Sequence, residues 1–491
     1  MVELSSHESG TIRLSAQEIA RCGGLHSLGV LVLLAGAFLP IADFFIVNVA
    51  LPTIASTLNA SPAALELVVA VYGVAYAGIL VLGGRLGDRF GRHLLFQIGL
   101  VGFVVASLAC GLAPTIGALI AARLAQGAAA AMLVPQVLAI CHATLEGERK
   151  ARALALYGAT SGIAAVIGQL AGGLLVSANI AGASWRPIFL INVPLGVVVY
   201  FASRVLVPAN RSPQPTGIDV PGTLLFAATL TALLVPLTEG HSLGWPMWTW
   251  GMLALAVILG AVTLEVERRA EARGEVPLLP PSMIKLPSVW RGLAMIAPFS
   301  LGFGSFMFVF ALTVQNGLHA DAFEGGLVIL PMATMFLIGS IVSPGLINRF
   351  GRGALAVGGL VQALGLGLLI VMLVSGWPNV SLISLAGPLL LVGGGQSMLF
   401  AGLFRAVLRD VPAHLAGIGG GVLITLQQAG LALGVATLGT FYLALEPQSV
   451  PAAFASAVGV QLAIVIALVL ATRMLPRFGK DAPGSALIVE V

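Results

Sequence analysis

The chain alternates between long apolar stretches and short polar segments rich in glycine, proline and arginine. Each apolar stretch has about 18 to 25 residues, the length at which a helix rising 1.5 Å per residue crosses the hydrocarbon layer of a membrane. We count fourteen such spans, and twelve is the alternative because the seventh and eighth are the shortest. Spans 1 to 14 are predicted at 28–51, 65–84, 94–112, 117–140, 153–176, 188–206, 220–237, 247–264, 293–315, 325–346, 354–374, 382–404, 416–443 and 452–471.

Composition supports a membrane protein with many spans. The chain has 491 residues, of which 58% are hydrophobic and 9% charged, and its mean hydropathy is +1.02. Soluble domains carry about 25% charged residues. Cys22, Cys110 and Cys141 have no disulfide or metal spacing, so we predict no metal site. The polar start of the chain is too long for the charged end of a signal peptide, and span 1 is therefore expected to be retained.

The basic residues fall on one side of the predicted spans. Every Lys and Arg except Arg123 and Arg186 precedes span 1 or lies at the end of, or after, an even-numbered span. The positive-inside rule makes this side cytoplasmic and places both termini there. The net charge of +4 therefore reports membrane topology. It does not indicate a nucleic-acid surface, and the expected surroundings are lipid.

An internal repeat organises the spans. GGRLGDRFGRHLLF at 83–96 and SPGLINRFGRGALA at 343–356 share RFGR, and each follows a span of the same orientation. A parallel repeat of this kind relates spans 1–6 to spans 9–14 and leaves spans 7 and 8 as an insert. The predicted domains are an amino-terminal segment 1–27, a six-helix half 28–206, an insert with its linker 207–290, a second half 291–472 and a tail 473–491.

The two copies of the loop differ at one charged position. The first copy has Asp88 where the second has Asn348, so only the first can make a charged latch. The alternative is a loop that serves topology alone. The candidate residues of this cytoplasmic gate are Gly84, Asp88, Arg89, Gly91 and Arg92.

Several motifs resemble one family. GRLGDRFGR at 84–92 looks like the loop motif of the major facilitator superfamily. IVNVALP in span 1, RLAQG at 123–127 and WRPIFLINVPLG at 185–196 resemble its fourteen-span drug:proton antiporters. The resemblance implies an all-α membrane protein with the major facilitator fold, two six-helix halves around a cavity plus two inserted helices. It further implies proton-coupled export of amphipathic drugs, antibiotics or toxic compounds across a bacterial inner membrane.

One motif departs from the family pattern. The exporter signature GxxxGPxxGG reads AAVIGQLAGG at 164–173, with Gln169 in place of the proline. The change removes an expected kink and leaves room for a second interpretation, a proton-coupled importer of a specific nutrient. A membrane-embedded enzyme or receptor is a third possibility. The chain shows neither the paired carboxylates nor the nucleophile constellation that an enzyme would need. We therefore expect a transporter that is not an enzyme, and we expect it to work as a monomer.

Asp43 is the only acid well inside a predicted span, whereas Glu66 and the other acids lie near span ends or in loops. Asp43 and Arg123 lie at similar depth, roughly 12 Å and 9 Å from the outer ends of spans 1 and 4. A carboxylate in the bilayer is costly unless it has a partner or reaches water. We therefore predict that Asp43 carries the proton and that Arg123 favours its charged form. A purely structural pair is the alternative.

Candidate cavity residues are aromatic or amide side chains in the spans, although packing or lipid contact is the commoner role of aromatic stripes. With one deep acid, the expected substrate is neutral, zwitterionic or singly cationic. No phosphate-binding GxxxxGK[ST] motif is present, so we expect a proton gradient to drive transport and no cofactor. The candidate lining residues are Phe44, Tyr72, Tyr76, Gln136, Gln169, Phe303, Phe306 and Gln427.

Overall fold

The computed structural model describes residues 25–209, 219–275, 277–278, 280–411 and 416–475. Over these residues the chain is helical and contains no strand. The main helices are α1 Ser27–Leu58, α2 Pro62–Phe90, α3 Arg92–Gly111, α4 Ile116–Thr144, α5 Gly147–Ala178, α6 Asn192–Leu206, α7 Val220–Ser242, α8 Met247–Ala272, α9 Pro287–Leu312, α10 Ala322–Phe350, α11 Arg352–Gly376, α12 Ala386–Leu408, α13 Ala416–Gly434 and α14 Val450–Ala471.

These helices confirm the predicted fold class. Thirteen membrane-spanning candidates, by length and composition, are found among the described residues. The remaining predicted span, the fifth, lies within α5, whose apolar stretch Gly162–Ala178 is shorter. α13 continues through a π-helical turn, Val435–Gly439, into Thr440–Leu445. Most of the predicted end segments 1–27 and 473–491 lies outside the described residues, and the domain boundaries stay predictions.

The loop repeat forms the same helix joint in both copies. α2 ends at Gly91 with φ 118°, and α10 ends at Gly351 with φ 58°. These angles lie in the left-handed region, which glycine adopts without a side-chain clash. The chain then enters α3 or α11 directly. We call the face of the bundle that holds Gly91 and Gly351 the motif side, and the other face the opposite side.

Packing follows the repeat as well. In the first half α4 packs against α2 and α3, and in the second half α12 packs against α10 and α11. The halves meet along two helix pairs, α5 with α10 and α2 with α13. The inserted helices α7 and α8 pack on each other, and α7 also packs on α2. The insert therefore lies beside the α2–α13 junction.

The glycines of the altered span 5 motif permit close helix contacts. A Cβ atom on Gly168 would lie 2.7 Å from the Ala42 carbonyl oxygen of α1. A Cβ atom on Gly173 would lie 2.6 Å from the Ala322 carbonyl oxygen of α10. Small residues allow backbones to approach at such points. These two glycines bring α5 against a helix of each half.

Candidate functional site

The first half contains a buried ion pair. Asp43 of α1 is 1% exposed and Arg123 of α4 is fully buried. Arg123 Nη1 donates to Asp43 Oδ2, and Arg123 Nε donates to the Val68 carbonyl oxygen of α2 at 3.1 Å. The predicted pairing of the two charges is thus present in the structure. A buried pair of this kind is stable only when its remaining hydrogen-bonding capacity is also met.

Neutral side chains supply further hydrogen bonds to the pair, although Arg123 Nη2 is buried without a hydrogen-bond partner. Gln126 Nε2 donates to Asp43 Oδ1 at 2.9 Å and lies 2.8 Å from Ser107 Oγ. Asn192 Nδ2 donates to the same Asp43 oxygen at 2.9 Å. Gln126 Oε1 accepts from Arg123 Nη1 at 2.7 Å. Helices α1, α4 and α6 therefore meet at one carboxylate, and Ser107 of α3 accepts from the amides of Gln126 and Asn192.

Sequence reasoning quoted two of these partners without giving them a role. Gln126 lies three residues after Arg123, and residues at that spacing share one helix face. Asn192 belongs to the WRPIFLINVPLG segment. Ser107 has no signal in the sequence, because only the packing of α3 against α4 brings it to the site.

A cavity of about 300 Å³ lies between the two halves. Its lining includes no charged side chain among the described residues, and its polar groups come from glutamines and tyrosines. Tyr157 of α5 and Phe404 of α12 line its end nearer the motif side. The aromatic and amide lining residues are Phe44, Phe45, Tyr72, Tyr76, Tyr157, Phe303, Phe336, Phe400, Phe404, Gln169, Gln396, Gln427 and Gln428.

Tyr72 separates the cavity from the ion pair. Its ring lines the cavity, and the ring centroid lies 4.3 Å from Cζ of Arg123. Its hydroxyl donates to the Pro40 carbonyl oxygen at 3.0 Å. Phe44 lines the cavity, whereas the neighbouring Asp43 does not. Water reaches Asp43 from the cavity only if this wall moves.

Six of the eight predicted cavity residues line the cavity: Phe44, Tyr72, Tyr76, Gln169, Phe303 and Gln427. The prediction is wrong for Gln136, which is fully buried and donates to the carbonyl oxygens of Gly83 at 2.8 Å and Met132 at 3.1 Å.

The prediction is also wrong for Phe306. It stacks on Phe310 in the core at a centroid distance of 5.3 Å. Met307, four residues after Phe303, takes the cavity-facing position instead. Residues four apart lie on nearly the same face of a helix, whereas Phe306 is turned toward the neighbouring helices.

Sequence reasoning missed several lining residues. They lie on three helices: Tyr157 on α5, Phe336 on α10, and Gln396 and Phe400 on α12. These aromatic and amide residues lie in apolar helices, and the sequence does not distinguish a cavity-facing position from a core position there. Their role depends on how the two halves face each other.

The predicted gate residues stay within the first half. Asp88 Oδ1 lies 2.7 Å from Arg92 Nη2, and Arg92 Nη1 donates to the Ala139 carbonyl oxygen of α4 at 3.2 Å. Arg89 is exposed, with its Cζ 5.8 Å from the Phe90 ring centroid. The pair Asp88–Arg92 therefore braces the α2–α3 joint and the end of α4.

The remaining loop residues serve the same joint. Gly91 supplies the left-handed turn, and a Cβ atom on Gly84 would meet Pro135 of α4 at 3.9 Å, an ordinary contact. The second copy of the loop also makes a side-chain hydrogen bond. Arg405 Nη1 donates to Asn348 Oδ1 at 2.5 Å.

No cluster of three or more His, Cys, Asp or Glu side chains that could hold a metal ion occurs within the described ranges.

Comparison with known proteins places this architecture. The sequence model of the Major Facilitator Superfamily matches residues 33–435. A probable actinorhodin transporter of Streptomyces coelicolor is 35% identical over 84% of this chain and 72% of its own length. A cephamycin export protein of Amycolatopsis lactamdurans is 34% identical over 92% and 93% of the two chains. A puromycin resistance protein of Streptomyces alboniger is 33% identical over 84% and 81%.

A solved structure has the same fold. The crystal structure of a peptide transporter aligns with a TM-score of 0.67, over 94% of this chain and 99% of that chain, at 16% identity. At this identity the likeness establishes the fold alone. The family match covers most of the chain and agrees with the paired six-helix halves. The chain belongs to the Major Facilitator Superfamily.

Proposed function

We propose that this protein exports amphipathic small molecules, such as antibiotics, in exchange for protons. The relatives are antibiotic transporters, export proteins or resistance proteins by their names, which supports export over nutrient import. The observation that carries the proposal is the buried Asp43–Arg123 pair directly behind Tyr72 of the cavity wall. One aromatic ring thus touches both the substrate space and the charged pair.

The cavity lining suits an uncharged or singly charged aromatic substrate. Aromatic rings offer flat apolar contact, and the amides of Gln169, Gln396 and Gln427 offer donors and acceptors. A second positive charge would lose its hydration without gaining an anion in the lining. The substrate class is therefore neutral, zwitterionic or singly cationic.

Asp43 is the proton carrier in this proposal. A proton on Asp43 removes its charge, so the attraction to Arg123 weakens and α1 can move relative to α4. Tyr72 packs against Arg123, and a substrate on its other face senses the same movement. The proton gradient is the energy source, and neither ATP nor another cofactor takes part.

The membrane orientation follows from charge. We place the motif side and both termini in the cytoplasm of a bacterial cell, because the basic residues gather there. The cavity then extends toward the cytoplasm, from which substrate enters. The protein is proposed to work as a monomer.

The test is proton-driven transport in everted membrane vesicles from an efflux-deficient bacterium, with puromycin as the probe. Acidifying the vesicle interior should drive puromycin accumulation, and a protonophore should abolish it. Asp43→Asn should insert normally and lose this accumulation, whereas the control Asp410→Asn, an exposed acid on the motif side, should keep it. Undiminished proton-driven transport in Asp43→Asn would refute the assignment.

Substrate charge is tested separately with quaternary ammonium compounds of matched hydrophobicity. Cells that express the protein should resist the monovalent compounds more than the divalent ones. Strong, Asp43-dependent resistance to the divalent compounds would contradict the uncharged cavity as the binding site.

A further inference from the structure

A second buried acid lies on the opposite side of the bundle, where three parts of the chain meet. Glu66 lies near the start of α2 and is 1% exposed. Thr440, in the continuation of α13, places its hydroxyl oxygen 2.7 Å from Glu66 Oε2. The inserted helix α7 completes the junction, with the Leu237 carbonyl oxygen 3.4 Å from the same hydroxyl. The contact therefore joins the first half, the second half and the insert.

This junction contains more acceptors than hydrogens. The Thr440 hydroxyl has one hydrogen, yet three oxygens surround it: Glu66 Oε2, Leu237 O and Ala436 O, the last at 3.0 Å. Carbonyl oxygens cannot donate, so an ionised Glu66 has to compete with them for a single hydrogen. A proton on Glu66 supplies the missing hydrogen. The carboxyl O–H then donates to Thr440 Oγ1, and Thr440 donates to Ala436 O.

The surrounding charges favour the same state. Glu239 of α7 interacts electrostatically with Glu66, and both are acids. Arg123 of α4 does not compensate Glu66, because its hydrogen bonds go to Asp43, Gln126 and the Val68 carbonyl oxygen. No Lys, Arg or His among the described side chains forms an ion pair with Glu66. An ionised carboxylate in this place would be buried without a cation, which is costly.

The end of α13 adds no compensating charge. From Val435 to Leu445 the chain contains neither acid nor base, and the Tyr442 hydroxyl lies 3.1 Å from Thr313 Oγ1. Glu446 follows directly, outside the membrane-spanning segment, and burial raises its pKa. Apart from Arg123, the titratable groups named around Glu66 among the described side chains are the acids Glu239 and Glu446 and the phenol Tyr442.

We propose that Glu66 is a proton-binding site that locks the opposite side closed. With its proton bound, Glu66 bonds to Thr440 and the junction of α2, α7 and α13 holds. When the proton passes to water on the opposite side, the carboxylate repels Glu239 and draws water, and the two halves separate there. The site goes beyond the proposed role of Asp43, because it acts on the closure of one side, not on the cavity wall.

The two acids share one rigid element. Arg123, the partner of Asp43, donates to the Val68 carbonyl oxygen, only two residues along α2 from Glu66. A movement of α2 that breaks the Glu66–Thr440 contact therefore also disturbs the Asp43 network. The shared helix gives each site a mechanical route to the other.

The experiment measures the separation of the halves directly, so it does not depend on the exported compound. Gly117 of α4 and Gly387 of α12 lie at the opposite side, and a Cβ atom on either would meet no atom within 4 Å. Spin labels on Gly117→Cys and Gly387→Cys, with Cys22→Ser, report their distance by pulsed electron paramagnetic resonance. The full chain is reconstituted in lipid and carries Asp43→Asn, which removes the titration of that acid.

In this background, alkaline pH should shift the distance distribution toward longer values. Adding Glu66→Gln should abolish the shift and keep the short distance at every pH, because glutamine is neutral and still donates to Thr440. A pH shift that survives Glu66→Gln, or no shift at all in the Asp43→Asn background, would overturn the proposal. Undiminished proton-driven export by Asp43→Asn, with an intact distance response, would instead count against the role of Asp43 alone.

Two further variants keep the result interpretable. Glu324→Gln replaces an exposed acid of the same side and preserves its capping box, in which glutamine also fits, so the pH shift should remain. Thr440→Val removes the hydroxyl and should move the onset of opening to lower pH. If Glu66→Gln fails to fold, an unchanged onset in Thr440→Val would refute the lock.

Discussion

The two halves of the bundle share helix packing and differ in where they bury charge. The first half buries Asp43, Glu66, Arg85 and Arg123. In the second half, every buried polar side chain among the described residues is neutral: serine, threonine or glutamine. The repeat has therefore kept one architecture while confining titratable chemistry to one copy. A transporter needs only one half to respond to protons if the other half supplies the surface against which it moves.

Both halves also bury amide side chains that are only partly hydrogen-bonded. Gln362 and Gln396 each have a buried Oε1 atom without a hydrogen-bond partner in the structure. An unpaired amide is much less costly to bury than an unpaired charge. Gln396 lines the cavity, and its Oε1 atom is buried without a partner beside that space. In the first half Gln126 is bonded on both ends, whereas Gln136 Oε1 and Gln169 Nε2 are buried without a partner, as in the second half.

The largest expected effect comes from breaking the buried pair. Arg123→Ala leaves Asp43 as an uncompensated buried charge, which should lower the free energy of unfolding by about 3 to 5 kcal/mol. Arg405→Ala in the second half removes an arginine at the surface and should cost less than about 1 kcal/mol. Chemical unfolding of both variants in detergent measures the difference. Equal losses would mean that the buried charge has no special cost.

The next largest effect on stability comes from the different space around a glycine in each loop copy. A Cβ atom on Gly83 would lie 2.3 Å from the Ala131 carbonyl oxygen, so Gly83→Ala should destabilise by about 1 to 3 kcal/mol through overpacking. Gly345 of the second copy has open space around it. Gly345→Ala should gain up to about 1 kcal/mol from helix propensity. Thermal unfolding of the two variants should shift in opposite directions.

Two buried amides, Gln126 at the ion pair and Gln396 in the cavity lining, should respond differently to the same substitution. Gln126→Leu strands Asp43 and Arg123 atoms that it now satisfies and should cost about 1 to 3 kcal/mol. Gln396→Leu removes an amide with an unpaired oxygen, so stability should change little while export of polar substrates falls. Unfolding curves and a resistance panel together check both outcomes. A large stability loss in Gln396→Leu would show that this amide has a structural partner.

The smallest effect on stability is expected from exchanging the residues at the one charged position in which the two loop copies differ, Asp88 and Asn348. Asp88→Asn copies the second loop into the first and removes a partly exposed pair, worth about 0.5 kcal/mol or less. Asn348→Asp should strengthen the bond from Arg405 by a similar amount. Cysteine accessibility from the motif side tests whether Asp88→Asn also shifts the balance of conformations. If accessibility stays that of the parent, Asp88 serves the joint of α2 and α3 only.

Much of the fold could be predicted because lipid imposes a simple rule. Backbone groups in a membrane must be bonded within their own helix, so an apolar run of sufficient length means a spanning helix. The RFGR repeat then related the two halves, and Gly91 and Gly351 fixed the same joint in each. Asp43 and Arg123 could also be recognised from the sequence, because a charged residue in the hydrocarbon layer is costly and is usually functional.

Tertiary structure alone decided which neutral residues work with those charges. Gln126 and Asn192 come from two helices and meet at Asp43 only through packing, and Ser107 of a third helix bonds to both amides. Phe303 and Phe306 have equal sequence signals, and helix rotation sends one to the cavity and the other to the core. In the sequence Glu66 looks like a surface acid near a span end, whereas in the structure α7 and the continuation of α13 bury it. Charge stands out in sequence because its transfer cost is intrinsic to the residue, whereas the role of a neutral side chain depends on which neighbours surround it.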